Sequence, residues 1–505
     1  MSRIINARRN IIWGVLNKLI NILIPFALRT AIIYFLGHNY LGLDTLFNSI
    51  LQMLNIAELG FSSAITFSMY KPLSENDTVE VCSILSLYRI VYKIIGLSVL
   101  VIGLIMMPFL PKLIKSGLPD DVNLYLLYLV FLINTVLGYL LFAYKKSLLS
   151  ACQREDVVSK ITTVVGIIKI FFQVLILLIT RRYYAFIIAM PVSTVIENLI
   201  TQYIAMKIYP MYTPRGSISK ESADVIKTRI KGLVISRLCT TSRNSMDSII
   251  ISAYLGLAQA AIYGNYYYIV AAAHGMLTTI TKSIAAIVGN TIVKNTPESN
   301  YNDMLSFDFL YMWLASFCTT CLVCIYQPFM TIWMGNELLL PDGIMIMLSI
   351  YFYSLCMGDV RTTYYTACGL WWEGRYRSMI EAASNIVLNI LLGKLFGIAG
   401  VVLATLFSII VINFGYGSTI IHRYYFKGIS SKTYFKKQFY YAFVTIISAF
   451  LCFKICSLHS VVGFPAIMLD LALCFMVSNA LMILFYFRLS EFKKGIELIS
   501  KVVRL

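Results

Sequence analysis

The stretch Ile11–Gly37, IIWGVLNKLINILIPFALRTAIIYFLG, decides the fold. Lys18 and Arg29 are its only charges, and it exceeds the roughly 20 apolar residues that cross a bilayer core as a helix. Arg3, Arg8 and Arg9 precede it, so the N-terminus imitates a secretory signal. The apolar run is too long for a signal core, and no small-residue cleavage site follows. We therefore read it as a first membrane span.

The rest of the chain repeats this pattern. Of 505 residues, 59% are hydrophobic and 13% charged, about half the charged fraction of a soluble domain. The apolar residues fall in long blocks, whereas a transmembrane barrel needs short alternating segments. The blocks predict an all-α polytopic protein of about fourteen spans. These lie at Ile11–Gly37, Tyr40–Tyr70, Val81–Leu110, Leu124–Ala143, Ile161–Thr180, Ala185–Ile208, Gly232–Leu257, Ala260–Val293, Leu305–Met334, Gly343–Leu370, Met379–Gly397, Ile398–Ile421, Tyr440–Cys456 and Phe464–Phe487. The expected division is a six-helix bundle at 1–218, a second at 219–424, and two further helices with a cytoplasmic tail at 425–505. The segment Tyr424–Phe439, mixing Lys with aromatics, is expected on the inner surface.

Charge orients the spans. With the N-terminus inside, roughly 27 basic residues fall in inner segments, by the positive-inside count. The outer loops hold only Lys112, Lys115, Arg181 and Arg182. The net charge of +18 thus reports membrane topology rather than nucleic-acid binding. There is a faint internal repeat. Tyr34-Phe35-Leu36-Gly37 closes the first span and Ala253-Tyr254-Leu255-Gly256 the seventh. An aromatic and an Asn follow each, in Leu46-Phe47-Asn48 and Tyr263-Gly264-Asn265. Halves with an even number of spans repeat in parallel.

No catalytic motif is present. The chain lacks a GxxxxGK[ST] phosphate loop, GxSxG and HExxH, and its four His are scattered. No cofactor is implied. Cys318, Cys321 and Cys324 form a CxxCxxC run, but it lies mid-span without a His or fourth ligand nearby in sequence. We read it as helix packing rather than metal binding.

The informative residues are charges inside spans. An Arg or Lys at the bilayer centre costs about 2.5–3.5 kcal/mol. Arg237, Lys394 and Lys454 lie near span ends and can snorkel. Arg29, Lys93, Lys169, Arg243, Lys282 and Arg361 are deeper, and facing lipid they would cost on the order of 15–20 kcal/mol together. They must face partners or a wet cavity. Arg89 and Lys93 are four apart and share a helix face. Lys18 and Arg29 are eleven apart, about three turns, and also share one. Arg243 and Asp247 are four apart and either pair with each other or serve a ligand. Glu58, Asp247 and Asp359 are candidates for a coupling H⁺ or Na⁺, or for neutralising nearby Arg. Glu197, Asp308, Glu381 and Asp470 complete the acids identified in the spans. The surplus of bases favours an anionic cargo, and phosphate or diphosphate suits Arg and Lys.

The stretch from Arg29-Thr30 to Leu36-Gly37 resembles the start of polysaccharide flippases. So do Tyr40-Leu41-Gly42-Leu43, Leu46-Phe47, Glu58-Leu59-Gly60-Phe61 and Tyr70-Lys71-Pro72-Leu73. These flippases belong to the multidrug/oligosaccharidyl-lipid/polysaccharide exporter superfamily. Arg243-Asn244-Ser245-Met246-Asp247, Ala367-Cys368-Gly369 and Gly397-Ile398-Ala399-Gly400-Val401 extend the likeness over nearly the whole chain. The resemblance implies two six-helix bundles plus two helices and a cavity opening alternately to each side. The implied cargo is an undecaprenyl-diphosphate-linked oligosaccharide, moved across the inner membrane without catalysis. It carries over substrate contacts at Arg29 and at Arg243 with Asp247. Lys18, Arg89 and Lys93 rest on helical spacing alone. A multidrug antiporter of the same superfamily and a membrane enzyme of glycan assembly are the alternatives. The antiporter would need an acidic cavity, and the enzyme large external loops and a catalytic constellation.

Overall fold

The computed structural model describes residues 2–55, 61–218 and 220–503, and among these every regular element is helical. Two compact units appear, Met1–Ala261 and Ile262–Leu505.

The first unit contains α1 (Ser2–Phe35), α2 (His38–Leu54), α3 (Phe61–Ser74), α4 (Thr78–Met106), α5 (Leu124–Leu140), α6 (Tyr144–Ala151), α7 (Glu155–Thr180), α8 (Tyr183–Ile208) and α9 (Lys220–Leu255). The chain passes into the second unit along α10 (Leu257–Lys294). There follow α11 (Pro297–Met334), α12 (Asp342–Cys356), α13 (Asp359–Ala367), α14 (Arg375–Phe407), α15 (Gly417–Tyr424), α16 (Ser431–Cys456), α17 (Phe464–Tyr486) and α18 (Ser490–Val503). A π-helical stretch, Ser408–Tyr416, joins α14 to α15.

Local chemistry explains the helix ends. The Asp77 carboxylate accepts from Glu80 N at 2.9 Å to start α4, and Asn123 Oδ1 accepts from Tyr125 N and Leu126 N at 3.1 Å each to start α5. Thr296 caps α11 with Pro297 at its first position. Gly37 and Gly256, the glycines of the internal repeat, both turn the chain with left-handed backbones, φ +101° and +97°. Close packing follows beside them. A Cβ on Gly42 of α2 would run into the backbone carbonyl of Leu257.

The packing is that of a membrane protein. The outward side of α7 carries Val164, Ile167, Ile168, Phe171, Phe172, Leu178 and Ile179, all exposed. Polar side chains instead meet between helices. Asn17 Nδ2 of α1 donates to Thr162 Oγ1 at 2.7 Å and Thr163 Oγ1 at 3.0 Å on α7. Such contacts contribute about 0.6 kcal/mol each in a bilayer. Among the described residues ten helical runs are long and apolar enough to cross a membrane, or eleven with the bent pair α5 and α6. The chain is a multi-pass membrane protein. One of those runs, Arg375–Tyr424, has 50 residues and breaks at Gly397, φ 60° and ψ −136°. About 75 Å of helix is more than twice the bilayer core, so this run exceeds a single crossing.

Several spans are less regular than the apolar blocks suggest. The block Tyr40–Tyr70 carries α2 and α3 on either side of residues outside the description. The block Gly343–Leu370 breaks at Met357–Gly358 between α12 and α13. Within the segment Tyr424–Phe439 the chain enters α16 at Ser431, where the Ser430 hydroxyl caps a helix that runs on into the apolar block. The C-terminal tail is also helical. Phe492 of α18 stacks on Trp313 of α11, with centroids 5.8 Å apart.

Candidate functional site

Several of the intramembrane bases in the described residues have compensating groups. Arg361 is fully buried on α13. Its Nη1 donates to the carbonyls of Asn413 at 2.8 Å and Phe414 at 3.0 Å, and its Nη2 to Asn413 Oδ1 at 3.2 Å. The Phe414 carbonyl also accepts from Gly417 N and, at 2.6 Å, from Ser418 Oγ, so the π-helical turn and the guanidinium share it. Arg377 lies 3.8 Å from Glu381, whose carboxylate also accepts from Asn413 Nδ2 at 3.0 Å. Lys169 on α7 sits in the field of Glu197 and Asp44. Glu197 in turn accepts from Lys146 at 2.6 Å. Asp44, on α2, also lies in the field of Arg29 of α1. Sequence reasoning passed over Asp44, although a lone carboxylate four residues into an apolar block is itself the signal.

Arg89 and Lys93 differ. They share one wall of a cavity of about 310 Å³ within the first unit. The other lining residues are Tyr92, Tyr139, Leu140, Phe142, Tyr144 and Gln202, and no carboxylate is among them. The chain makes this recess by breaking a helix. After Leu140 the path bends by 47° into α6, with Phe142 in the left-handed region at φ 55°. The bend swings Tyr144 away from the line of α5 and leaves Tyr139 and Leu140 at the rim. The tyrosine wall is held from behind. Tyr88 Oη donates to Tyr92 Oη at 2.9 Å and lies 2.9 Å from Ser147 Oγ. The Tyr88 and Tyr92 rings meet edge to face at 4.5 Å. The recess thus offers two cations, phenolic surface and one amide. Its volume lies at the lower end of small-ligand pockets.

The structure brings together Arg89 and Lys93, but Arg29, Lys18 and Arg243 do not line that cavity. Lys18 is exposed on α1. Arg243 is buried on α9, where its Nε and Nη2 each lie 3.2 Å from Asn244 Oδ1; Asp247, one turn on, is buried too. Glu58 lies outside the described residues.

A second constellation occurs in the second unit. Asp359 opens α13, and its Oδ2 accepts from Tyr311 Oη at 2.5 Å and lies 2.9 Å from His274 Nε2. Cys356 Sγ lies within 4.8 Å of the same groups. Sequence reasoning found Asp359 but not its partners, which arrive from α10 and α11.

The profile of the family described as "Polysaccharide biosynthesis protein" matches residues 7–285. Comparison with curated proteins finds no match. Among solved structures, the fold is similar to that of the lipid II flippase MurJ in an inward closed conformation. Identity is 15%, the TM-score 0.69, and the match covers 94% of this chain and 98% of that one. An inward-facing multidrug resistance MATE family transporter of the MOP superfamily matches at 12% identity and TM-score 0.62, over 79% of this chain and 94% of its own. A MOP superfamily transporter from Pyrococcus furiosus, described as having a binding pocket of reversed polarity, matches at 12% and 0.58, over 83% and 96%. These are flippases and transporters rather than enzymes.

Proposed function

Since the chain belongs to the polysaccharide biosynthesis protein family, we propose that it is a flippase for undecaprenyl-diphosphate-linked oligosaccharide. It works in the bacterial inner membrane with both termini cytoplasmic and exposes its cargo alternately to the two sides. The observation that carries this reading is the Arg89/Lys93 recess, whose lining holds two cations and no carboxylate. A cavity of that kind attracts a diphosphate, which Arg can grip with two parallel hydrogen bonds. Tyr92, Tyr139 and Tyr144 give flat amphipathic surface for the adjoining sugar. Arg29 and Arg243 are further cargo contacts in this scheme, and Lys18 an approach charge.

A multidrug antiporter would need the opposite polarity at the recess to welcome organic cations. Coupling falls to the Asp359 constellation. A carboxylate that accepts from a phenol and lies 2.9 Å from an imidazole nitrogen is a place for a proton to bind and leave. Asp247 and Glu58 stand as further coupling candidates.

The test is complementation of a strain lacking the flippase, scoring surface glycan against protein abundance. Arg89→Glu with Lys93→Glu should abolish surface glycan at normal abundance. Normal glycan in that double variant would remove the recess from the mechanism.

A further inference from the structure

The CxxCxxC run divides in the folded chain. Cys318 and Cys321 line an apolar cavity of about 300 Å³ with Phe317 and Ile325. Cys324 does not line it and points into the contact of α11 with α16 and α17, against which Cys321 also packs from the side. There it meets cysteines that are distant in sequence. The sulfurs of Cys324, Cys456 and Cys474 all lie within 4.8 Å of one another. Cys452 is fully buried in the same cluster and lies one turn before Cys456 on α16. Three helices thus converge three thiols on one point with a fourth packed beside them, which no reading of the α11 run alone reveals.

We propose that Cys324, Cys452, Cys456 and Cys474 form a binding site for a thiophilic closed-shell cation, Zn²⁺ or Cu⁺, that ties α16 and α17 to α11. The geometry is close to what such an ion needs. A tetrahedral zinc–sulfur distance of about 2.3 Å places sulfurs about 3.8 Å apart, so small rotations of the side chains close the present spacing. As each sulfur–metal bond forms, its thiol proton passes to solvent. The thiolates leave excess negative charge in a dry place, and a neighbouring group can offset it. Asp470, one turn before Cys474, holds His459 Nε2 at 2.7 Å. The Nδ1 of His459 is buried without a hydrogen-bond partner among the described residues. The site is separate from the Arg89/Lys93 recess, and its reading stands whatever the cargo.

The test uses the full chain purified in detergent. Elemental analysis of the protein as isolated should find about one Zn or Cu per chain. Titration of metal-stripped protein with Cd²⁺ should give a thiolate-to-cadmium charge-transfer band saturating at the same ratio. Cys474→Ser should weaken Cd²⁺ binding about tenfold or more and lower the thermal midpoint of the metal-loaded protein. Cys318→Ser, outside the cluster, should leave both unchanged. Wild-type protein without stoichiometric metal and without a saturable cadmium band would overturn the site, even if the variants fail to fold. A disulfide within the cluster in the protein as isolated, or equal metal loss in the Cys318→Ser variant, would also overturn it.

Discussion

Replacing Arg89 by Ala isolates the proposed diphosphate contact. The side chain stands in a recess with Lys93 and no carboxylate, so its removal orphans no buried acid there. The loss is therefore close to that of the ligand contact itself. A hydrogen bond to a charged group contributes about 1.5–3 kcal/mol, which converts to about a 10- to 150-fold weaker dissociation constant. Arg89→Lys keeps the charge but loses the two-pronged grip, so it should fall between wild type and Ala. Lys93→Ala should weaken binding in the same range, and the double change should deviate from additivity because both groups face one ligand. The assay is calorimetric titration of purified protein with a short-chain polyprenyl diphosphate. Lys454→Ala is the control. Its ammonium lies 5.8 Å from the Phe450 ring at the end of α16 and should bind no cargo. A less than twofold change in affinity for both Arg89→Ala and Lys93→Ala would refute the reasoning.

Other perturbations probe separate links. Gly42→Val should cost about 1–3 kcal/mol or more, read as a lower thermal midpoint, because its side chain must displace the Leu257 backbone. If Arg243 holds cargo, surface glycan lost in Arg243→Ala should stay lost in the double variant with Asp247→Ala; recovery in the double would mean that the two residues only neutralise each other. Asp359→Asn should uncouple transport from a proton gradient while diphosphate binding at the recess persists, checked by flux in proteoliposomes with and without an imposed pH step. Burial, the largest single influence, would raise the Glu491 carboxyl, but the hydrogen bonds from Lys437, its own backbone N–H and Ser490, with the Lys437 charge, together outweigh it and hold the group below its ordinary value of 4.5. A lowered folded-state value stabilises the docked α18 at higher pH, and this contribution is lost as pH falls through that value, below 4.5. Trp313 fluorescence should report the loss, since Phe492 of α18 stacks on it.

How far the site was legible from sequence depends on how local its parts are. The Arg89–Lys93 face follows from a spacing of four residues, and helical arithmetic found it. Tyr139, Phe142, Tyr144 and Gln202 were not legible as its neighbours. The first three gather through a bend that reads as a continuous apolar block, and the last comes from another helix. The paired glycines at 37 and 256 were visible as a faint repeat because each closes a span with an aromatic, Leu and Gly, and both adopt left-handed backbones. The break before Asp359 was hidden because Met357-Gly358 interrupts neither apolarity nor length. The cysteine run was read alone, and only the packing of α11 against α16 and α17 brings Cys324 to its distant partners.

The contact of Arg361 with the π-helical stretch constrains the order in which the second unit can be assembled. Before they meet, the segment at 359–367 carries a bare cation into apolar surroundings. Inserted alone, that cation costs about 2.5–3.5 kcal/mol. Its acceptors, the carbonyls of Asn413 and Phe414, belong to a stretch made some fifty residues later. The cost stands until that stretch has been made and has packed, so the two settle together more favourably than one after the other.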